Sequence, residues 1–84
     1  MIRLRLLSRP DCHLCAEMRR DVDAILEGEQ REWEVVDVDQ DVELARRYGA
    51  EIPVLFVNGR LFAKIRLPRL ASRLRLRRAA GLTT

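Results

Sequence analysis

Cys12 and Cys15 are the sequence's whole supply of thiols. A Cys-x-x-Cys pair of this kind suits either thiol–disulfide exchange or metal binding. The pair lies where a strand pattern gives way to a helix pattern. A helix N-terminus carries free N–H groups and about half a positive charge, both of which stabilise a thiolate relative to a thiol. Residues three apart share one turn, close enough for their sulfurs to bridge. Cys12, at the helix start, is therefore the expected exposed nucleophile of lowered pKa. Cys15, one turn in, is the expected buried thiol that resolves a mixed disulfide. Arg9 and a protonated His13 favour the Cys12 thiolate and Asp11 opposes it, so the expected depression is moderate. Simple solvation at a helix start accounts for His13 equally well. Zinc wants four ligands. Two cysteines and His13 from one tight turn fall short of that unless a dimer shares the metal, so no metal site is expected.

The elements that must position this pair follow from periodicity. Ile2, Leu4 and Leu6 alternate with Arg3 and Arg5 as in a strand, and Pro10 stops the run. Cys15, Met18, Val22 and Ile25 then fall on one helical face, with Gly28 as terminator. Trp33 to Val38 reads as a second strand, with Trp33 a core or sheet-face residue. Asp41 caps a short helix bearing Leu44, Ala45 and Tyr48, and Gly49 closes it. The acidic set Asp37, Asp39, Asp41 and Glu43 lacks the glycine and terminal glutamate of a calcium loop, so capping is its better account. Asn58-Gly59 between two apolar runs signals a hairpin with a type I′ turn. Pro68 sits where a first helical residue would, ahead of a stripe of Leu70, Ala71 and Leu74, and Gly81 ends that helix. The order is β-α-β-α-β-β-α. A helical crossover makes the first two strands parallel, and the hairpin adds two antiparallel ones. Residues 1–84 thus form a single α/β domain, a four-stranded mixed sheet flanked by helices.

Arg9-Pro10-Asp11-Cys12-His13-Leu14-Cys15, with Ile52-Pro53 ahead of a hairpin, resembles the glutaredoxin branch of the thioredoxin superfamily. The element order is similar to that family's minimal fold along nearly the whole chain. The resemblance implies a thioredoxin-like fold and a dithiol oxidoreductase acting through Cys12 and Cys15 on protein or glutathione-mixed disulfides. It implies that Pro53 is a cis-proline beside the cysteines, and that the backbone of Ile52 receives an incoming thiol peptide as an added strand. It gives Arg9 the role of gripping a glutathione carboxylate, and places Leu14 where the family has an aromatic residue. Glu51-Ile52-Pro53 stands in place of the family's Thr-Val-Pro. Its Gly-Gly pair falls at Ala63 and Lys64, and its aspartate region at Arg66 and Leu67. These departures weigh against glutathione, because the glycines allow close backbone approach and an arginine repels the ammonium group. No bound cofactor is expected, and glutathione enters as a co-substrate.

The charge is unevenly placed. Residues 1–51 hold 8 basic and 13 acidic residues, whereas residues 52–84 hold 8 basic and none acidic, together the net +3 of the chain. Arg66, Arg69, Arg73, Arg75, Arg77 and Arg78 read first as a solvated helix face. Docking to an acidic partner is the next reading, and nucleic acid, which would want interleaved aromatics, is not expected. A second reading of the whole chain is a non-catalytic thioredoxin-fold module that docks a partner through this basic C-terminal helix. Expected partners are disulfide-containing proteins or glutathione and a thioredoxin-type or glutathione-based reductant, met by a monomer. No apolar run approaches the roughly 20 residues that cross a bilayer, and Met1–Leu7 is too short for a signal peptide. A cytoplasmic location, without membrane contact, is expected.

Overall fold

A computed structural model of the chain describes residues 1–82. Its elements are β1 (Ile2–Ser8), α1 (His13–Ile25), β2 (Arg31–Asp37), α2 (Val42–Tyr48), β3 (Val54–Val57), β4 (Arg60–Lys64) and α3 (Ser72–Ala79), with a 3-10 turn at Val38–Gln40. The sheet runs β2-β1-β3-β4. β1 and β2 are parallel, with Ile2 opposite Arg31 and Ser8 opposite Asp37. β3 returns antiparallel along β1, with Leu7 opposite Val54 and Leu4 opposite Val57. Asn58 and Gly59 turn the hairpin at φ 49° and 84°, the two positive values that a type I′ turn requires. The Asn58 side chain also accepts from the Arg3 N–H at 2.9 Å, tying the turn to β1.

Strand alternation decides which helix meets which residues. Ile2, Leu4 and Leu6 point to one face, where they pack with Cys15, Met18, Val22 and Leu26 from the α1 side, Leu55 and Val57 from β3, and Leu76 and Ala80 from the α3 side. Leu7, Val38 and Val54 form a smaller cluster on the other face, flanked by Leu44 and Tyr48 of α2. Because α2 is short, it covers only part of that face. Where it stops, β1 turns charged side chains outward, and Arg3–Glu32 (3.6 Å) and Arg5–Glu34 (3.1 Å) pair across to β2. The edge strand is fastened to α1 as well. Asp23 Oδ1 accepts from both Arg31 Nε and Trp33 Nε1 at 2.9 Å, and Arg19 lies 5.1 Å over the Trp33 ring.

Two expectations need correcting. The second strand begins at Arg31 and ends at Asp37, because the Asp37 carboxylate caps the next turn by accepting from the Asp39 N–H at 2.9 Å. Val38 therefore leaves the sheet and is buried beneath that turn. The last helix starts at Ser72, not Pro68. Left-handed backbone at Ile65 (φ 70°) and Ala71 (φ 54°) brackets an irregular segment, and half-buried Leu67 anchors this segment against the core. The expected stripe is consequently wrong: Leu70 is 82% and Leu74 41% exposed, while Leu76 and Ala80, one turn apart, fill the core.

Candidate functional site

The chain leaves β1 through Pro10 and Asp11, the latter in left-handed backbone at φ 59°, and enters α1 with Cys12 as its N-cap. Cys12 is extended at φ −96° and ψ 104°, as an N-cap must be. Its sulfur takes the place of the usual capping oxygen and accepts from the Cys15 N–H at 3.2 Å. Its carbonyl accepts from the Ala16 N–H at 3.1 Å and closes the first turn. The two Cα atoms are 5.3 Å apart and the sulfurs are joined as a disulfide. Cys15 is 4% exposed within the main core, whereas Cys12 is half-buried at its edge. Cys12 is therefore the more accessible of the two and Cys15 is held by packing, the asymmetry a nucleophile and a resolving thiol need.

The remaining residues named from sequence do not all converge on this pair. His13 is exposed at the first helical position, and Leu14 is 38% exposed on the outer side of the turn. Pro53 is fully buried and its peptide bond with Ile52 is cis. The pairing of Leu7 with Val54 puts Pro53 at the end of the sheet from which β1 runs on to the cysteines. Half-buried Ile52 packs against both core clusters, the first of which holds Cys15. Arg9 is turned elsewhere. Its Nε bonds Asp39 Oδ2 at 2.9 Å and its Nη1 donates to the Gly49 carbonyl at 2.7 Å, so the guanidinium straps the loop before Cys12 to the end of α2. Gly49 is needed for that strap. Its φ is an ordinary −55°, but a Cβ there would strike the Ala45 carbonyl and stand 2.9 Å from Arg9 Nη2.

Sequence reasoning missed the segment that forms the site's second wall. Ile65 donates its N–H to the Pro53 carbonyl at 2.6 Å, pinning the chain after β4 beside Ile52-Pro53. A groove of about 460 Å³ follows, floored by Met18, Ile25 and Leu67, with Leu14 and Ile65 at its cysteine end. Its α1 side carries Glu17 and Asp21 and its far side Arg66. The only hint in the sequence was the apolar pair Ile65 and Leu67, and a β-branched residue in left-handed backbone is not something pattern reading anticipates. Ala63 is buried, and Lys64 pairs with Glu51 at 3.1 Å. Two of the residues that depart from the glutaredoxin pattern thus satisfy each other.

Comparison with known proteins agrees with this geometry. Residues 3–76 match the family described as Glutaredoxin-like domain (DUF836). Among solved structures, the Northeast Structural Genomics target protein XcR50 from X. campestris is 34% identical, with 86% of this chain and 89% of that chain covered and a TM-score of 0.59. A mutant thioredoxin from Halobacterium salinarum is 22% identical, with 99% of this chain and 78% of that chain covered and a TM-score of 0.57, a likeness of fold alone. No curated protein matches significantly.

Proposed function

We propose that this chain, which belongs to the glutaredoxin-like domain family, is a cytoplasmic dithiol oxidoreductase that reduces protein disulfides. The observation that carries the reading is the placement of the two cysteines: a half-buried Cys12 at a helix N-cap, its Sγ bonded to that of a buried Cys15 one turn in. In the reduced protein, Cys12 gives up its proton and its thiolate attacks one sulfur of the substrate disulfide. A Cys12–substrate S–S bond forms, the substrate's own S–S bond breaks, and the departing sulfur leaves as a thiolate that takes up a proton. Cys15, as thiolate, then attacks Cys12 Sγ. The Cys12–Cys15 bond forms and the second substrate sulfur departs in the same way. Two electrons have passed from protein to substrate, and a thioredoxin-type or glutathione-based reductant returns them.

The helix N-terminus supports the Cys12 thiolate through the Cys15 N–H. Leu14, between the cysteines, and Ile52, packed on the core cluster that holds Cys15, would meet an incoming peptide, with buried Pro53 fixing the backbone beneath, and Arg9 acts as a positioning residue through its strap to α2. Protein disulfides fit better than glutathione-mixed ones. At the family's glycine pair, Ala63 fills core space and Lys64 is engaged by Glu51, while Arg66 would repel the glutathione ammonium group. The test is disulfide reduction coupled either to glutathione, glutathione reductase and NADPH, or to thioredoxin reductase and NADPH. Turnover abolished by Cys12→Ser is expected, with the second couple the more effective. Turnover that survives Cys12→Ser, or none in either couple, would contradict the assignment.

A further inference from the structure

Charge segregation in the sequence becomes a surface in the fold. Of the eight basic residues after position 51, Lys64 is tied to Glu51, and Arg77 reaches Glu29 and the Ile25 carbonyl of α1. The side chains of Arg60, Arg66, Arg69, Arg73, Arg75 and Arg78 are exposed and make no ion pair or hydrogen bond with any described residue. By contrast, Arg3, Arg5, Arg9, Arg31 and Arg46 all hold carboxylates. No acidic residue follows Glu51 in the sequence to neutralise the C-terminal set.

One of these arginines, Arg66, lines the groove, and two more, Arg69 and Arg73, directly follow its lining residues Pro68 and Ser72 in the chain. Arg66 lines the groove that ends at Leu14, between the two cysteines, and Ser72, beside Arg73, closes the same wall. Arg69 lies between them on the loop that enters α3. Across the groove, α1 presents Glu17 and Asp21. The floor is apolar, Arg66 stands on one wall with Arg69 and Arg73 following on the same segment, and Glu17 and Asp21 stand on the other wall. Such a channel seats an apolar side chain, attracts carboxylates along the α3 wall and turns away carboxylates from the α1 wall.

We propose that the disulfide taken by this site belongs to a protein segment with an apolar residue beside its cysteine and acidic side chains that meet Arg66, Arg69 and Arg73. The proposal rests on the redox reading and specifies its partner. Charge complementarity of this kind acts mainly on the encounter rate and is weakened by salt. A protein partner is favoured over nucleic acid because residues 65–79 contain no aromatic side chain on which bases could stack.

The test uses three disulfide-bonded peptides with the same apolar core and neutral, acidic or basic flanks, each mixed with the pre-reduced full chain. Reduction of the acidic peptide about tenfold faster than the neutral one at low salt, converging near 0.5 M salt, is expected. The double variant Arg69→Glu and Arg73→Glu should reverse the order of the acidic and basic peptides. These side chains make no hydrogen bond or ion pair with a described residue, and the salt titration of the unaltered chain gives the same answer without a variant. Equal rates for all three peptides at every salt concentration would overturn the proposal while leaving the redox reading intact. Failure to reduce even the neutral peptide would overturn both. Binding of a single-stranded oligonucleotide that is lost in the double variant, without preference among peptides, would assign the surface to nucleic acid and overturn the proposal.

Discussion

Gly49→Ala sets two physical effects against each other, and the structure decides the sign. The residue has φ −55° and ψ −31°, a helical conformation in which alanine is favoured over glycine by about 0.4–1 kcal/mol. On backbone grounds alone the change stabilises. Its surroundings reverse this. The new Cβ would press on the Ala45 carbonyl, which cannot move without disturbing α2, and would stand 2.9 Å from Arg9 Nη2. Arg9 has little slack, because it is held by Asp39 and by the Gly49 carbonyl itself. Overpacking of this kind costs about 1–3 kcal/mol, and weakening the Arg9 hydrogen bond adds about 1 kcal/mol. The net expectation is a loss of about 1–3 kcal/mol. With a urea m-value of about 1 kcal/mol/M for so small a domain, the midpoint falls by about 1–3 M. The assay is urea unfolding of the oxidised protein followed by circular dichroism. In an Arg9→Ala background the loss should shrink but persist, since the Ala45 contact remains. A Gly49→Ala midpoint at or above that of the unaltered chain would refute the reasoning.

Leu76→Ala should cost about 2–5 kcal/mol, because Leu76 is fully buried in the main core, while Leu70→Ala, at an 82% exposed site, should shift stability by no more than about 0.5 kcal/mol; urea midpoints of the two variants compare them directly. Asp23 gives a pH dependence. Burial alone would raise its pKa, but hydrogen bonds from Trp33 and Arg31 and the charges of Arg31 and Arg19 together hold the carboxyl below its ordinary value of 3.8. A depressed folded pKa means that the carboxylate contributes stability above the ordinary value, a contribution lost as pH falls from there through the folded value. Asp23→Asn should therefore lower stability at pH 7 by about 1 kcal/mol, below the roughly 1.5–3 kcal/mol of a buried hydrogen bond to a charged group, because the side chain is 38% exposed and screened by solvent. The variant should also lose less stability than the unaltered chain between pH 5 and pH 2, as read from thermal unfolding across that range.

Where the physics is local, the sequence announces it. Ile2, Leu4 and Leu6 alternate because one sheet face is buried, Asp41 caps α2 by accepting from the Glu43 and Leu44 N–H groups, and Asn58-Gly59 supplies the positive φ of the hairpin. The cysteine pair was legible for the same reason, since its chemistry depends on the first turn of a helix. The course from Ile65 to Ala71 was not. It is set by the Ile65 bond to the Pro53 carbonyl and by Leu67 reaching the core, contacts that cross the fold and leave no periodic trace. Pro68 looked like a helix start because nothing near it in sequence shows that the core needs Leu76 and Ala80. The strap made by Arg9 was hidden for the same reason: its partners, Asp39 and the Gly49 carbonyl, lie 30 and 40 positions away. The strap also explains why a glycine stands at position 49, which looked like an ordinary helix terminator.

On this reading the fold makes Cys12 the reactive thiol and keeps Cys15 in reserve. The direct measurement is the rate of iodoacetamide alkylation of the reduced protein as a function of pH, with the modified cysteine identified by peptide mapping. Cys12 should be alkylated first, with a rate profile whose apparent pKa lies below the ordinary thiol value of about 8.5, and Cys15 should stay protected until the chain is unfolded. Equal modification of both cysteines, or a Cys12 profile at or above the ordinary value, would contradict it.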